Sequence, residues 1–188
     1  MGNLVMEDNE ADDNFGGAEG GAIFNRGSIT VDGDASFIGN RAGRGGAIYQ
    51  ETWGIFSVSG FATFQKNMCI DTFGGAIANI GGFMIFSGGS LFDDNFAENS
   101  GDGGVGGAIY NYSDADVVLR GPTTFSLNGG NWGGAIFNQV TKSEFFGDEE
   151  DKLLIPVIVY PDDTVFVDNY GQFCNDVAYD FIEDTCGL

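Results

Sequence analysis

The chain has 188 residues, enough for one domain with a core, and its 32 Gly and 18 Phe against 3 Pro exclude a disordered linker, which would be poor in aromatics. Acidic residues number 28 against 7 basic ones, a formal net charge of −21 with no His at all. The charge excludes nucleic acid and anionic membrane surfaces as partners, and the missing His excludes Ser-His-Asp, Cys-His and conventional zinc chemistry.

Residues 1–14, MGNLVMEDNEADDN, read as an acidic lead-in without the basic start and apolar run of a signal peptide, so the chain is expected to be a mature or excised piece of something longer. No stretch approaches the roughly 20 apolar residues of a membrane span, so direct membrane insertion is not expected. Asn14-Phe15-Gly16-Gly17-Ala18 then reads as a degenerate half-copy of the repeat that follows.

That repeat carries two marks. GGAI begins at Gly20, Gly45, Gly74, Gly106 and Gly133, and FxxN runs Phe37 to Asn40, Phe64 to Asn67, Phe92 to Asn95, Phe125 to Asn128 and Phe166 to Asn169. From the Ile of GGAI to the Phe of FxxN the distance is 14, 16, 15 and 16 residues in four copies and 30 in the fifth, which therefore carries an insertion over about 142–160. A constant frame with variable loops is how a solenoid behaves.

Within each copy three short strands are predicted. The first is GGAI with the two residues after it. The second covers Ser28 to Val31, Ile55 to Val58, Phe83 to Phe86 and Val117 to Leu119. The third covers Ala35 to Ile38, Ala62 to Phe64, Ser90 to Phe92, Thr123 to Ser126 and Thr164 to Val167. The fold class is thus all-β: a single-domain, right-handed parallel β-helix of about five coils over 15–170, with a capped C-terminus over 171–188. Stacked coils would align Phe37, Phe64, Phe92, Phe125 and Phe166 as an inward column. Asn40, Asn67, Asn95, Asn128 and Asn169 would form a ladder at a turn. At the C-terminal end, Asn175 to Tyr179 sits where GGAI should return, and Cys174 and Cys186 flank it as a candidate disulfide, leaving Cys69 over.

GGAI paired with FxxN resembles the polymorphic outer membrane protein repeat, best known from chlamydial surface proteins and found also in algal and other eukaryotic extracellular proteins. The resemblance covers about residues 15 to 170. It implies a parallel β-helix at the cell surface or outside the cell, often serving adhesion.

The candidate sites are few. Asp32 with Asp34, Asp93 with Asp94, and Asp114 with Asp116 are the carboxylate pairs a glycoside-cleaving enzyme would need. None recurs as a stacked pair and each has a turn context where Asp is at home, so no catalytic residue is assigned. Calcium is the one cation the acidic loops would suit. Asp102 in the Asn99 to Gly104 loop and Asp148 and Glu149 in the insertion are its candidate ligands, with plain solvated loops as the alternative; no other cofactor is expected. The residue after GGAI reads Phe24, Tyr49, Ala78, Tyr110 and Phe137. Its aromatics form an exposed binding row if Ile points inward and ordinary core if the parity is reversed. Asn111-Tyr112-Ser113 is a lone glycosylation sequon at a repeated amide position, where structural use is the expected reading.

The expected function is a non-catalytic structural or adhesive module, extracellular or at the cell surface, binding a protein or glycan partner. A carbohydrate-active lyase or hydrolase is the first alternative, and a docking subunit of a larger assembly the second.

Overall fold

Aromatic and β-branched residues two apart, interrupted every few positions by Gly or Asn, favour short strands over helices. The computed structural model describes residues 2–12, 17–98, 103–139, 141–142, 153–154, 157–171, 174, 176–180 and 185–186, and among these there is no helix. The strands form parallel sheets, each taking one strand per coil, so the chain is a parallel β-solenoid of about five turns.

The first sheet, here the GGAI sheet, stacks Ile23–Asn25, Ile48–Gln50, Ile77–Ile80, Ile109–Tyr112, Ile136–Gln139 and Val177–Asp180. The middle sheet stacks Ser28–Val31, Ile55–Val58, Phe83–Phe86, Asp116–Leu119 and Val157–Val159. The Phe sheet stacks Leu4–Glu7, Ala35–Ile38, Ala62–Gln65, Ser90–Asp93, Thr123–Ser126 and Val165–Val167. A fourth, two-residue strand after the corner asparagine pairs Arg41–Ala42, Met68–Cys69 and Phe96–Ala97; the sequence pattern gave no sign of it because two residues carry no periodicity.

The registers put like on like. Phe37, Phe64, Phe92, Phe125 and Phe166 stack face to face with centroids 4.9, 4.8, 4.7 and 5.0 Å apart, and the first four are fully buried. Ile48, Ile77, Ile109 and Ile136 face them, with Phe56, Met84, Phe86 and Leu119 of the middle sheet closing the same core. Each buried Phe contributes about 1.5–3 kcal/mol of apolar transfer.

Two tight corners hold the sheets at their angles. The third residue of FxxN takes the left-handed conformation in every coil, at Gly39, Lys66, Asp94, Leu127 and Asp168, which turns the following Asn inward. The first Gly of GGAI is left-handed too, and a side chain on the second, such as Gly75, would collide with the carbonyl of Gly107 in the next coil.

Both ends extend past the marks read from sequence. In the stretch read as a lead-in, Leu4–Glu7 is a full strand of the Phe sheet, with Met6 under Phe37 and Asn9 bonded to Asn40. Met6-Glu7-Asp8-Asn9 is thus an FxxN with Met for Phe. The half-copy read over Asn14 to Ala18 falls largely on residues 13–16, outside the described residues. In the fifth copy Thr141–Lys142 and Leu153–Leu154 pair antiparallel, while Val157–Val159 is a regular strand of the middle sheet, so the excursion ends before Val157. At the C-terminal end Val177 lies under Ile136, and Thr185–Cys186 closes that sheet antiparallel. Cys174 is disulfide-bonded and Cys69 is a buried free thiol; the Cys186 side chain lies outside the described residues.

Candidate functional site

The row after GGAI is where the structure departs most from the sequence reading. From the second coil on, Ile is buried and so is its neighbour: Tyr49 is 8%, Ala78 0%, Tyr110 2% and Phe137 7% exposed, while in the first coil Ile23 is half-buried and Phe24 is open at 41%. Tyr49, Tyr110 and Phe137 are therefore not an exposed binding row. Nor is the parity reversed, since both faces of the GGAI sheet are covered.

The cover comes from the variable segments between FxxN and the next GGAI. Phe73, Val105 and Trp132, each directly before a GG pair, bridge to one another coil to coil and lie over the row. Phe73 stacks on Tyr110 at 4.6 Å, Tyr110 on Phe137 at 6.0 Å, and the Tyr110 hydroxyl donates to Gln139. The same position holds Glu19 and Arg44 in the first two coils, an ion pair at 3.3 Å, which covers less apolar surface and leaves Phe24 open beneath Arg26. The apolar residue before GG was a signal available in the sequence.

The open apolar face lies elsewhere. On the middle sheet the outward residues form two columns, Ser28, Ile55, Phe83, Asp116 and Val157, and Thr30, Ser57, Ile85, Val118 and Val159. The early coils present hydroxyls and the later ones bare apolar side chains. Ile55 is 45%, Phe83 38%, Val157 42% and Val159 50% exposed, and Trp53, at the corner before Ile55, is 84% exposed with a left-handed backbone. Asp116 stands in its column between Phe83 and Val157; partial burial there raises its carboxyl pKa, and Asp114 adds to the rise.

The Asp93 and Asp94 carboxylates are put to separate uses. Asp93 accepts from Gln65 (2.8 Å) and Ser126 (2.6 Å) on the outside of the Phe sheet, while Asp94 occupies the left-handed corner position. Asp34 accepts the Phe61 amide at 2.8 Å. Among the described residues no group of three Asp, Glu or Cys is placed to hold a metal ion; Asp102, Asp148 and Glu149 lie outside those residues. Asn111 is fully buried and its amide donates to the Ala115 carbonyl at 3.0 Å and to Asn138 at 3.3 Å, while accepting from Asn79 at 3.0 Å, so this sequon asparagine belongs to a row of stacked amides along the GGAI sheet.

Residues 34–51, from the third strand of one coil through GGAI and into the next, match the family model described as the Chlamydia polymorphic membrane protein repeat. The chain carries this repeat. No curated protein and no solved structure matches the chain. The repeat's two marks are the αL-cornered Phe-and-Asn turn and the glycine pair that lets adjacent coils approach, so what it specifies is the stacking frame. The covered row and the open middle-sheet face belong to this chain's own residues at positions the marks leave free.

Proposed function

We propose that the chain is a non-catalytic adhesive module, displayed outside the cell, that binds a protein partner through the outer face of its middle sheet. The supporting observation is the bare apolar array Ile55, Phe83, Val157 and Val159 on a rigid sheet, flanked by Trp53. Exposed apolar surface with an aromatic anchor, here interrupted by the single carboxylate of Asp116, is how protein interfaces begin. A sugar site would need several polar groups converging around an aromatic platform, and beside Phe83 the outward face offers Asp116 and Ser57 among Ile55, Ile85 and Val118. Surface display and a non-catalytic role are proposed by analogy with the matched repeat, which is described from membrane proteins of Chlamydia. Calcium held by the acidic loops would add charge screening on the same molecule.

The test is a pair of arrays, one of extracellular proteins and one of glycans, probed with the wild type and with a Phe83→Asp, Val159→Asp double variant, each with and without calcium. Both substitutions are at exposed positions, so the melting temperature should hold. A protein signal that falls at least tenfold in the variant supports the reading, at roughly 1.4 kcal/mol per decade. Strong glycan binding that ignores the variant, or protein binding equal in both, would overturn it.

A further inference from the structure

A single carboxylate stands inside the open face of the middle sheet. Asp116 is in register with Phe83 one coil before and Val157 one coil after, and the column beside it runs Ile85, Val118 and Val159. Its main-chain groups are used: the amide donates to the Gly82 carbonyl at 3.0 Å, and the carbonyl accepts from Asn79 Nδ2 at 3.3 Å. Its carboxylate, among the described residues, has no hydrogen-bond donor and no cation. Arg26, Arg41 and Arg44 are each paired with a Glu. Arg120 leaves from beyond the far end of the strand, about 13 Å away at about 3.3 Å per residue.

The charge that does act on Asp116 has the same sign. Asp114, at the corner before the strand, adds to the rise in the Asp116 pKa. The Asp114 Oδ1 lies 3.0 Å from the point where a side chain on Gly81 would begin, so it leans over the corner that leads into Phe83. Trp53 stands at the corner one coil earlier, its amide bonded to the Gly81 carbonyl and its ring exposed. Three adjacent coils thus bring two aromatic rings and two carboxylates to one edge of the face, with no positive charge among the described residues.

Covering this face with a wholly apolar partner would bury the Asp116 carboxylate unpaired, which is among the costliest things an interface can do. A guanidinium meets the need. Its planar fork takes a carboxylate with two parallel N–H bonds, it gives up water more readily than an ammonium, and its stem lies on apolar surface. We propose that the partner docked on the middle sheet presents an arginine to Asp116, set between apolar side chains that cover Phe83 and Val157. This rests on the reading of the middle sheet as the docking face and adds the partner's chemistry: a basic protein surface with an arginine inside an apolar patch. Charge complementarity favours that occupant over the other two at hand. A second copy brings a net charge of −21 and arginines already held by Glu. The chain's own residues 143–152 bring Glu144, Asp148, Glu149, Glu150 and Asp151 against Lys152.

The probe is the capped tripeptide Ac-Leu-Arg-Leu-NH2, titrated into the isotope-labelled full chain beside its citrulline isostere, which keeps the shape and loses the charge. Saturable shifts at Phe83, Asp116 and Val157 are expected, with citrulline weakening binding about tenfold through the loss of one charge-assisted pair. In Asp116→Asn, a change at a half-exposed position, the two peptides should bind alike. Equal binding of both peptides to the wild type would overturn the arginine and leave the apolar docking face standing. An arginine preference that persists in Asp116→Asn would overturn it too, since the cation would then sit on another carboxylate. No saturable shift at these residues from either peptide would overturn the inference and count against the docking face as well.

Discussion

Phe64 and Asn67 sit in one corner of the solenoid and fail differently when truncated. Phe64 stacks on Phe37 and Phe92 in a core with no solvent access, so Phe64→Ala should cost about 3–5 kcal/mol in chemical denaturation. Asn67→Ala removes little volume but strands the two N–H groups of Asn40 and the Phe37 carbonyl, at about 1–3 kcal/mol for each buried group left unmade. A result no worse than that of Asn9→Ala, at the first corner, would contradict the ladder's role. Leu127 is left-handed at φ 55° and 48% exposed where another coil has Gly39, so Leu127→Gly should stabilise by about 1 kcal/mol. Asp116 gives the pH dependence. Its folded pKa is raised, so the folded state holds the proton to higher pH, and stability falls as pH rises from the ordinary Asp range through that raised value. Asp116→Asn should raise the melting temperature at pH 7 and leave it unchanged at pH 3; a gain equal at both would point to packing instead.

At the scale of strands the repeat was legible because its marks are residues with few substitutes. Only Gly fits where a coil crosses another's backbone, as at Gly75, and a side-chain amide at the inward corner answers the N–H groups stacked there. Positions that accept several residues hid what they do. Met6-Glu7-Asp8-Asn9 escapes the FxxN pattern because Met fills the Phe place, and Val157–Val159 falls within the expected insertion because nothing marks the middle strand but its alternation. The aromatic row after GGAI posed a question of parity that the cover made moot. Period-two alternation says which residues share a face, and a residue from the coil before, as Phe73 on Tyr110, decides whether that face meets water. Gly75→Ala should disrupt the stack far more than Gly27→Ala, whose added methyl meets only the far end of Asn25 at 4.0 Å; thermal unfolding of the two variants checks this.

Across the whole molecule, the charge of −21 was plain from composition, whereas its distribution was not. Arg26, Arg41 and Arg44 each pair with a Glu near the N-terminal end, and exposed pairs of this kind add little stability. Self-repulsion among the remaining carboxylates should therefore be the larger electrostatic effect, and the melting temperature should climb between low salt and about 0.15 M or above as the Debye length falls to about 8 Å. A melting temperature that drops with salt would give the ion pairs the larger part. The account turns on which apolar surfaces are covered and which are open, and residue-resolved hydroxyl-radical footprinting of the folded chain reads that directly. Heavy labelling of Trp53 and Phe83 with protection of Tyr110 and Phe137 is the predicted pattern. Labelling of Tyr110 and Phe137 as strong as that of Phe83 would mean the GGAI sheet is the open face, and would contradict both the covered aromatic row and the docking surface assigned to the middle sheet.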